Sequence, residues 1–198
     1  MRSWQDEVGE DGDQRTTGYV IETLGEDVDK AFKRLSKNFD DVGPDGAEYD
    51  ESDARDYYRA VFAYIEGSLF SVKMSSAVKL LDAGKLDTTE RLVVSELTLD
   101  LQNGDVVDKP MKISLEENVK FCFKLADRAY ERKTPTLDTS KQWWSDFKEA
   151  TKVRDRLMHP RLPKDLDISP DEVVLITRME FGFRELLGSY ISEPDHLK

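Results

Sequence analysis

Apolar residues recur at intervals of three and four along most of the chain, the spacing that gathers them on one face of a helix. The stretches GEDVDKAFKRLSKNF, SDARDYYRAVFAYIEGSLFSVKMSSAVKLLDAG, TTERLVVSEL, SLEENVKFCFKLADRAYER, SKQWWSDFKEATKVRDRLMH and SPDEVVLITRMEFGFRELLGSYI all carry it. Ser52, Thr88, Ser114 and Ser169 each stand before an acidic residue near a first turn, Ser114 with Glu117 spells a capping box, and Gly84 and Pro160 mark ends. One segment breaks the pattern. LTLDLQNGDVVDKPMKI alternates apolar and polar residues around Asn103-Gly104, a strong hairpin turn signal. The pattern predicts an all-α fold with a small β-hairpin inserted around 97–113, or an irregular connection there, since a lone ribbon is marginal unless it packs on something.

With 198 residues, of which 38% are hydrophobic, the chain is long enough for one domain with a sizeable core. Its 41 acidic against 29 basic side chains give a formal charge of -12, the reverse of a general nucleic-acid binder, so any contact with nucleic acid must be local. Residues 1–56 hold 17 Asp and Glu against 7 Lys and Arg, so the acidity lies at the front. We therefore expect an acidic, poorly ordered tail over 1–20, a single helical domain over 21–192 and a short C-terminal tail over 193–198. No apolar run approaches the ~20 residues that span a bilayer, and no leader follows a basic start; no membrane partner and a cytoplasmic location are expected. One cysteine and two histidines speak against a disulfide or a zinc site, Cys122 reads as a small buried residue, and no metal or cofactor is implied. The acid-rich loop DDVGPDGAEYDESD lacks the spacing of a calcium-binding loop and reads as a solvated linker.

Chemistry concentrates near the end of the helical stretch that begins at Ser140. At about 100° per residue, Trp143, Phe147, Ala150, Leu157 and Met158 share one stripe, with Arg154 in its middle. A guanidinium there must be paired or face a cleft, because burying it alone costs several kcal/mol. Glu66, at the edge of the stripe formed by Tyr58, Val61, Ile65 and Leu69, is a candidate ion-pair partner. His159 falls in the last turn, where the helix dipole favours a cation, and Pro160 ends the helix. Between residues 145 and 164, Lys148, Lys152, Arg154, Arg156, Arg161 and Lys164 face only Asp146, Glu149 and Asp155, a +3 island in an acidic protein.

The segment RDRLMH resembles the Arg-x4-6-His signature of the HEPN superfamily, α-helical domains many of which are metal-independent endoribonucleases. In that signature a polar residue commonly follows the arginine, and here it is Asp155. The order of elements is similar too: a long early helix with an aromatic and acidic pattern, YYRAVFAYIEGSLF, a late helix carrying the motif, and one more helix, over about residues 25–192. The resemblance implies a HEPN-like helical bundle that forms a homodimer, setting two motifs across a cleft where an RNA substrate is cut. It implies His159 as general acid or base, Arg154 as a phosphate clamp and Asp155 as the residue that orients the ring, with Arg156, Arg161 and Lys152 on flanking phosphates. Toxins and defence effectors are common in the superfamily, so an antitoxin or regulatory protein is an implied partner. Some members carry a tyrosine two residues after the histidine; Arg161 holds that place here. The alternative is a non-catalytic helical module, dimerising or regulatory, in which Glu66 neutralises Arg154 and His159 only caps the helix.

Tyr57, Tyr58, Phe62 and Tyr64 have the spacing of core packing rather than of a base-stacking platform. Trp143 is expected to point inward and Trp144, about 100° away, toward a second surface such as a dimer interface. Gly182 and Gly188, inside the last helical stretch, either allow a neighbour to approach closely or merely lower helix stability.

Overall fold

The computed structural model describes residues 14–40 and 50–192. Among them six α-helices and one two-stranded antiparallel sheet are present. The helices are α1 (Gln14–Asp40), α2 (Glu51–Asp82), α3 (Thr88–Val94), α4 (Leu115–Ala129), α5 (Gln142–Met158) and α6 (Pro170–Ser192); a short 3-10 turn, Pro163–Leu166, precedes the last. Strands β1 (Leu97–Gln102) and β2 (Asp105–Pro110) form the hairpin between α3 and α4. The fold is all-α with a small β-hairpin, and no described helix is long and apolar enough to cross a membrane. Helix α1 opens at Gln14, inside the segment expected as a tail, while residues 1–13, the acid-rich loop 41–49 and the tail 193–198 lie outside the described residues.

Local chemistry sets the element ends. Helix α3 is capped by Asp87 rather than Thr88: its carboxylate accepts from Glu90 N–H at 2.8 Å, and the Glu90 carboxylate accepts from Asp87 N–H at 3.3 Å. Similarly Asp50, not Ser52, opens α2, with Oδ1 accepting from Ser52 N–H at 2.7 Å. Ser114 caps α4 by accepting from Glu117 N–H at 3.2 Å, and Ser169 with Glu172 makes the reciprocal box before α6. Gly84, at φ +66°, closes α2: Lys85 N–H donates to Leu80 O and Gly84 N–H to Leu81 O, the paired bonds that a left-handed residue after a helix permits. The hairpin turn places Asn103 at φ 55° and Gly104 at φ 91°, as a two-residue turn matching strand twist requires.

The chain divides into two compact units, one built on Leu69–Leu137 and one on Val20–Ser68 with the residues from Asp138 onward. Helix α2 contributes to both, since Ser68 and Leu69 are consecutive within it. The first unit packs Ala77, Leu80, Leu86, Val94, Leu125 and Ala129 together. Cys122 is fully buried there, and burial pushes its thiol up to about 12, Lys73 acting weakly in the other sense. The second unit buries Leu35 of α1, Tyr57, Tyr58 and Ile65 of α2, Phe147 of α5, and Ile176, Met179 and Phe183 of α6. Tyr64 meets Phe183 edge-on at 5.7 Å, and all four tyrosine and phenylalanine rings of the YYRAVFAY stretch are buried, as core spacing requires. Helices α5 and α6 approach so closely at Gly182 that a Cβ there would lie 2.5 Å from Trp143 Cβ, whereas one at Gly188 would meet open space.

Candidate functional site

Helix α5 buries Trp143, Trp144, Asp146, Phe147, Ala150, Val153 and Leu157. Through the last two turns its buried line therefore runs along Val153 and Leu157. Arg154 is left at the edge of that line with its side chain 30% exposed, rather than in the middle of the stripe, and Met158 is 52% exposed rather than part of it. Trp144 is another correction: it is buried, stacked on Phe147 at 5.3 Å, and offers no second surface.

The Arg154 guanidinium meets Glu66 across from α2. Nη2 donates to Glu66 Oε1 at 2.6 Å, Nη1 donates to Asp155 Oδ1 at 3.0 Å, and the guanidinium carbon lies 5.9 Å from the Phe62 ring centre. Both carboxylates are well exposed, at 45% and 57%. Pairs so open to water contribute at most about 1 kcal/mol each, so an incoming anion can displace either carboxylate from the guanidinium. His159 is the C-cap of α5, its N–H donating to Asp155 O at 3.1 Å. Its imidazole is exposed, with no hydrogen-bond partner among the described residues. The Asp155 carboxylate, expected to orient that ring, is turned to Arg154 instead.

The rest of the basic island is employed differently from one residue to the next. Lys152 pairs with Glu149 at 2.7 Å on an exposed face. Arg156 is committed to its own chain: Nη1 donates to the carbonyls of Lys164, Asp165 and Asp167, and Nη2 to Glu172 Oε1 at 2.8 Å. Its fork holds the segment after His159 in place and is already filled where a flanking phosphate was expected. In the same segment Asp165 Oδ2 accepts from the N–H groups of Arg161 and Leu162 at 2.8 and 2.9 Å, which holds its carboxyl below the usual range. The Arg161 side chain projects from this turn, exposed, with no hydrogen bond or ion pair among the described residues.

The charge that most clearly interrupts the buried face of α5 is Asp146, 4% exposed. Arg178 of α6 grips it with two bonds, Nε to Oδ2 at 3.0 Å and Nη2 to Oδ1 at 2.8 Å, and Gln142 Nε2 adds a third at 3.0 Å. Burial opposes ionisation of Asp146, but these hydrogen bonds and the Arg178 charge outweigh it and its pKa lies below the ordinary value. The pair lines an open groove of about 730 Å³ between α5 and α6, together with Lys152, Arg156 and Glu172. Residue spacing contained this signal, because Asp146 is three residues from Trp143 and four from Ala150. Among the described residues no group of three or more His, Cys, Asp or Glu is arranged to hold a metal ion. The chain matches no protein-family model, no curated protein and no solved structure.

Proposed function

We propose that the chain is a metal-independent endoribonuclease of HEPN type, working in the cytoplasm as a homodimer and acting as a toxin or defence effector under the control of a protein partner. The observation that carries this reading is the joint accessibility of Arg154 and His159 at the end of one helix, the guanidinium held only by exposed carboxylates and the imidazole open to solvent. In the reaction, His159 takes the proton of a ribose 2′-hydroxyl and the freed oxygen attacks the adjacent phosphorus. The 5′-oxygen leaves, taking a proton from water, and gives a 2′,3′-cyclic phosphate and a 5′-hydroxyl end, while His159 returns its proton to solvent. Arg154 stabilises the charge that gathers on the phosphoryl oxygens, its fork exchanging Glu66 for phosphate. Asp155 keeps the guanidinium aimed, and Arg161 supplies a contact to a neighbouring phosphate.

A second reading, a non-catalytic helical binding module, draws on the 2.6 Å Arg154–Glu66 contact, which satisfies the arginine without any substrate. Cleavage assays separate the two. Purified protein incubated with cellular RNA should cut it, and His159→Ala and Arg154→Ala should each lower the rate by about 100-fold or more while remaining folded. Equal rates in all three proteins would sink the ribonuclease assignment to these residues.

A further inference from the structure

The hairpin is oriented against its own pattern. Leu97, Leu99, Leu101, Val106, Asp108 and Pro110 share one face of the ribbon, and Thr98, Asp100, Gln102, Asp105, Val107 and Lys109 the other. The apolar face leaves Leu99 53%, Leu101 72% and Val106 66% accessible, with Leu97 half-buried, whereas on the other face Thr98, Asp100 and Val107 are half-buried and only the polar Gln102, Asp105 and Lys109 are exposed. The hydrogen-bonding edges are also unlike each other. Glu96 and Met111 pair through Met111 N–H to Glu96 O at 2.7 Å, so residues 98, 100 and 102 bond inward to β2, and Leu97, Leu99 and Leu101 turn their N–H and C=O groups outward. Among the described residues no strand pairs with that edge. The outward N–H of Leu101 is met by its neighbour's side chain, Asp100 Oδ1, at 2.9 Å.

We infer that β1 is a pairing edge for a second copy of this chain, the two strands running antiparallel about a twofold axis at Leu99. In that register every outward group finds a partner: Leu97 lies opposite the second copy's Leu101, and Leu99 opposite Leu99. Charge agrees as well, since Asp100 falls opposite Thr98 and no like charges oppose each other. The β2 edge is unsuited to the same role. Its outward residues are Val106, Asp108 and Pro110, so a full-length twofold register sets Asp108 against itself, and Pro110 has no N–H to donate. The four-stranded sheet so formed sets six leucines side by side and relieves the marginal stability of an isolated ribbon. This pairing is a second self-association, separate from the homodimer of the ribonuclease reading because none of its residues belongs to the Arg154 and His159 site, and only the part of the association that Leu99→Lys removes is assigned to it.

Six-residue strands bury less than a standard interface, so the association is weak and must be measured to high concentration. Sedimentation equilibrium of the full chain from ~5 to ~500 µM should show reversible self-association. Leu99→Lys, which sets like charges directly opposite at the axis, should weaken it by at least ~10-fold. Val106→Lys, as exposed but on the strand away from the seam, should leave it within ~2-fold of wild type. A wild type monomeric throughout overturns the inference, as does association that Leu99→Lys leaves intact. Equal loss in both variants would mean that the apolar faces stack instead, which also overturns edge pairing.

Discussion

Truncating Arg156 separates a structural from a phosphate-binding arginine. Its Nη1 reaches the carbonyls of Lys164, Asp165 and Asp167 at 3.4, 3.1 and 2.7 Å, and its Nη2 reaches Glu172 at 2.8 Å. One amino group carries only two hydrogens, so the three carbonyl contacts count as about two bonds, each contributing about 1 kcal/mol net. With 29% of the arginine side chain exposed, the Glu172 pair adds less than about 1 kcal/mol. Arg156→Ala should therefore loosen the turn by about 2 kcal/mol. The assay is hydrogen exchange of the amides of Asp165 and Asp167, which bond to Leu162 O and Lys164 O and report the turn directly. A 2 kcal/mol loss raises their exchange about 30-fold, and Arg156→Lys should fall between wild type and alanine because an ammonium cannot reproduce the fork. Exchange within about twofold of wild type in Arg156→Ala would refute this account of the turn, and a simultaneous fall in RNA binding would return Arg156 to the substrate.

Other outcomes follow from the same geometry. Gly182→Ala should cost about 1–3 kcal/mol in urea denaturation because Trp143 Cβ stands in the way, whereas Gly188→Ala, opening onto free space, should gain about 0.5–1 kcal/mol; matching signs would contradict the close approach of α5 and α6. Asp146 has a depressed pKa, so its contribution to stability is complete above the unfolded value and is lost as pH falls through the folded one. Asp146→Asn should therefore flatten the stability profile below about pH 4, and an unchanged acid limb would remove Asp146 from it. Cys122, its thiol pushed up to about 12 by burial, should react with a thiol reagent at about pH 8 only after denaturation.

Much of the fold is legible in residue order because each element is specified locally. Three- and four-residue spacing marks the helices, and Asn103-Gly104 supplies the two left-handed residues of the hairpin turn. Helix starts were less legible: Asp50 and Asp87 do the capping where Ser52 and Thr88 were expected, because a carboxylate and a hydroxyl are nearly equivalent acceptors at that position. Contacts distant in sequence escape spacing arguments. An ideal wheel sets Arg154 in mid-stripe, yet the buried line of α5 follows Val153 and Leu157 as it packs with α6, a property of the pair of helices rather than of either one. Arg156 looks like any other member of a basic island until the chain that returns to it through Asp167 and Glu172 is seen. The buried Lys73, 1% exposed and bonded to Glu96 at 2.8 Å, had no periodic signature that set it apart from an exposed lysine.

The most direct test of the central claim is the product end formed in excess EDTA. If His159 drives a 2′-hydroxyl attack beside Arg154, wild-type protein should cut an RNA oligonucleotide to leave 2′,3′-cyclic phosphate and 5′-hydroxyl ends, and replacing the ribose at the cut with 2′-deoxyribose should abolish cutting there. Cleavage that persists at the deoxy position, leaves 5′-phosphate ends or vanishes with EDTA would contradict the mechanism.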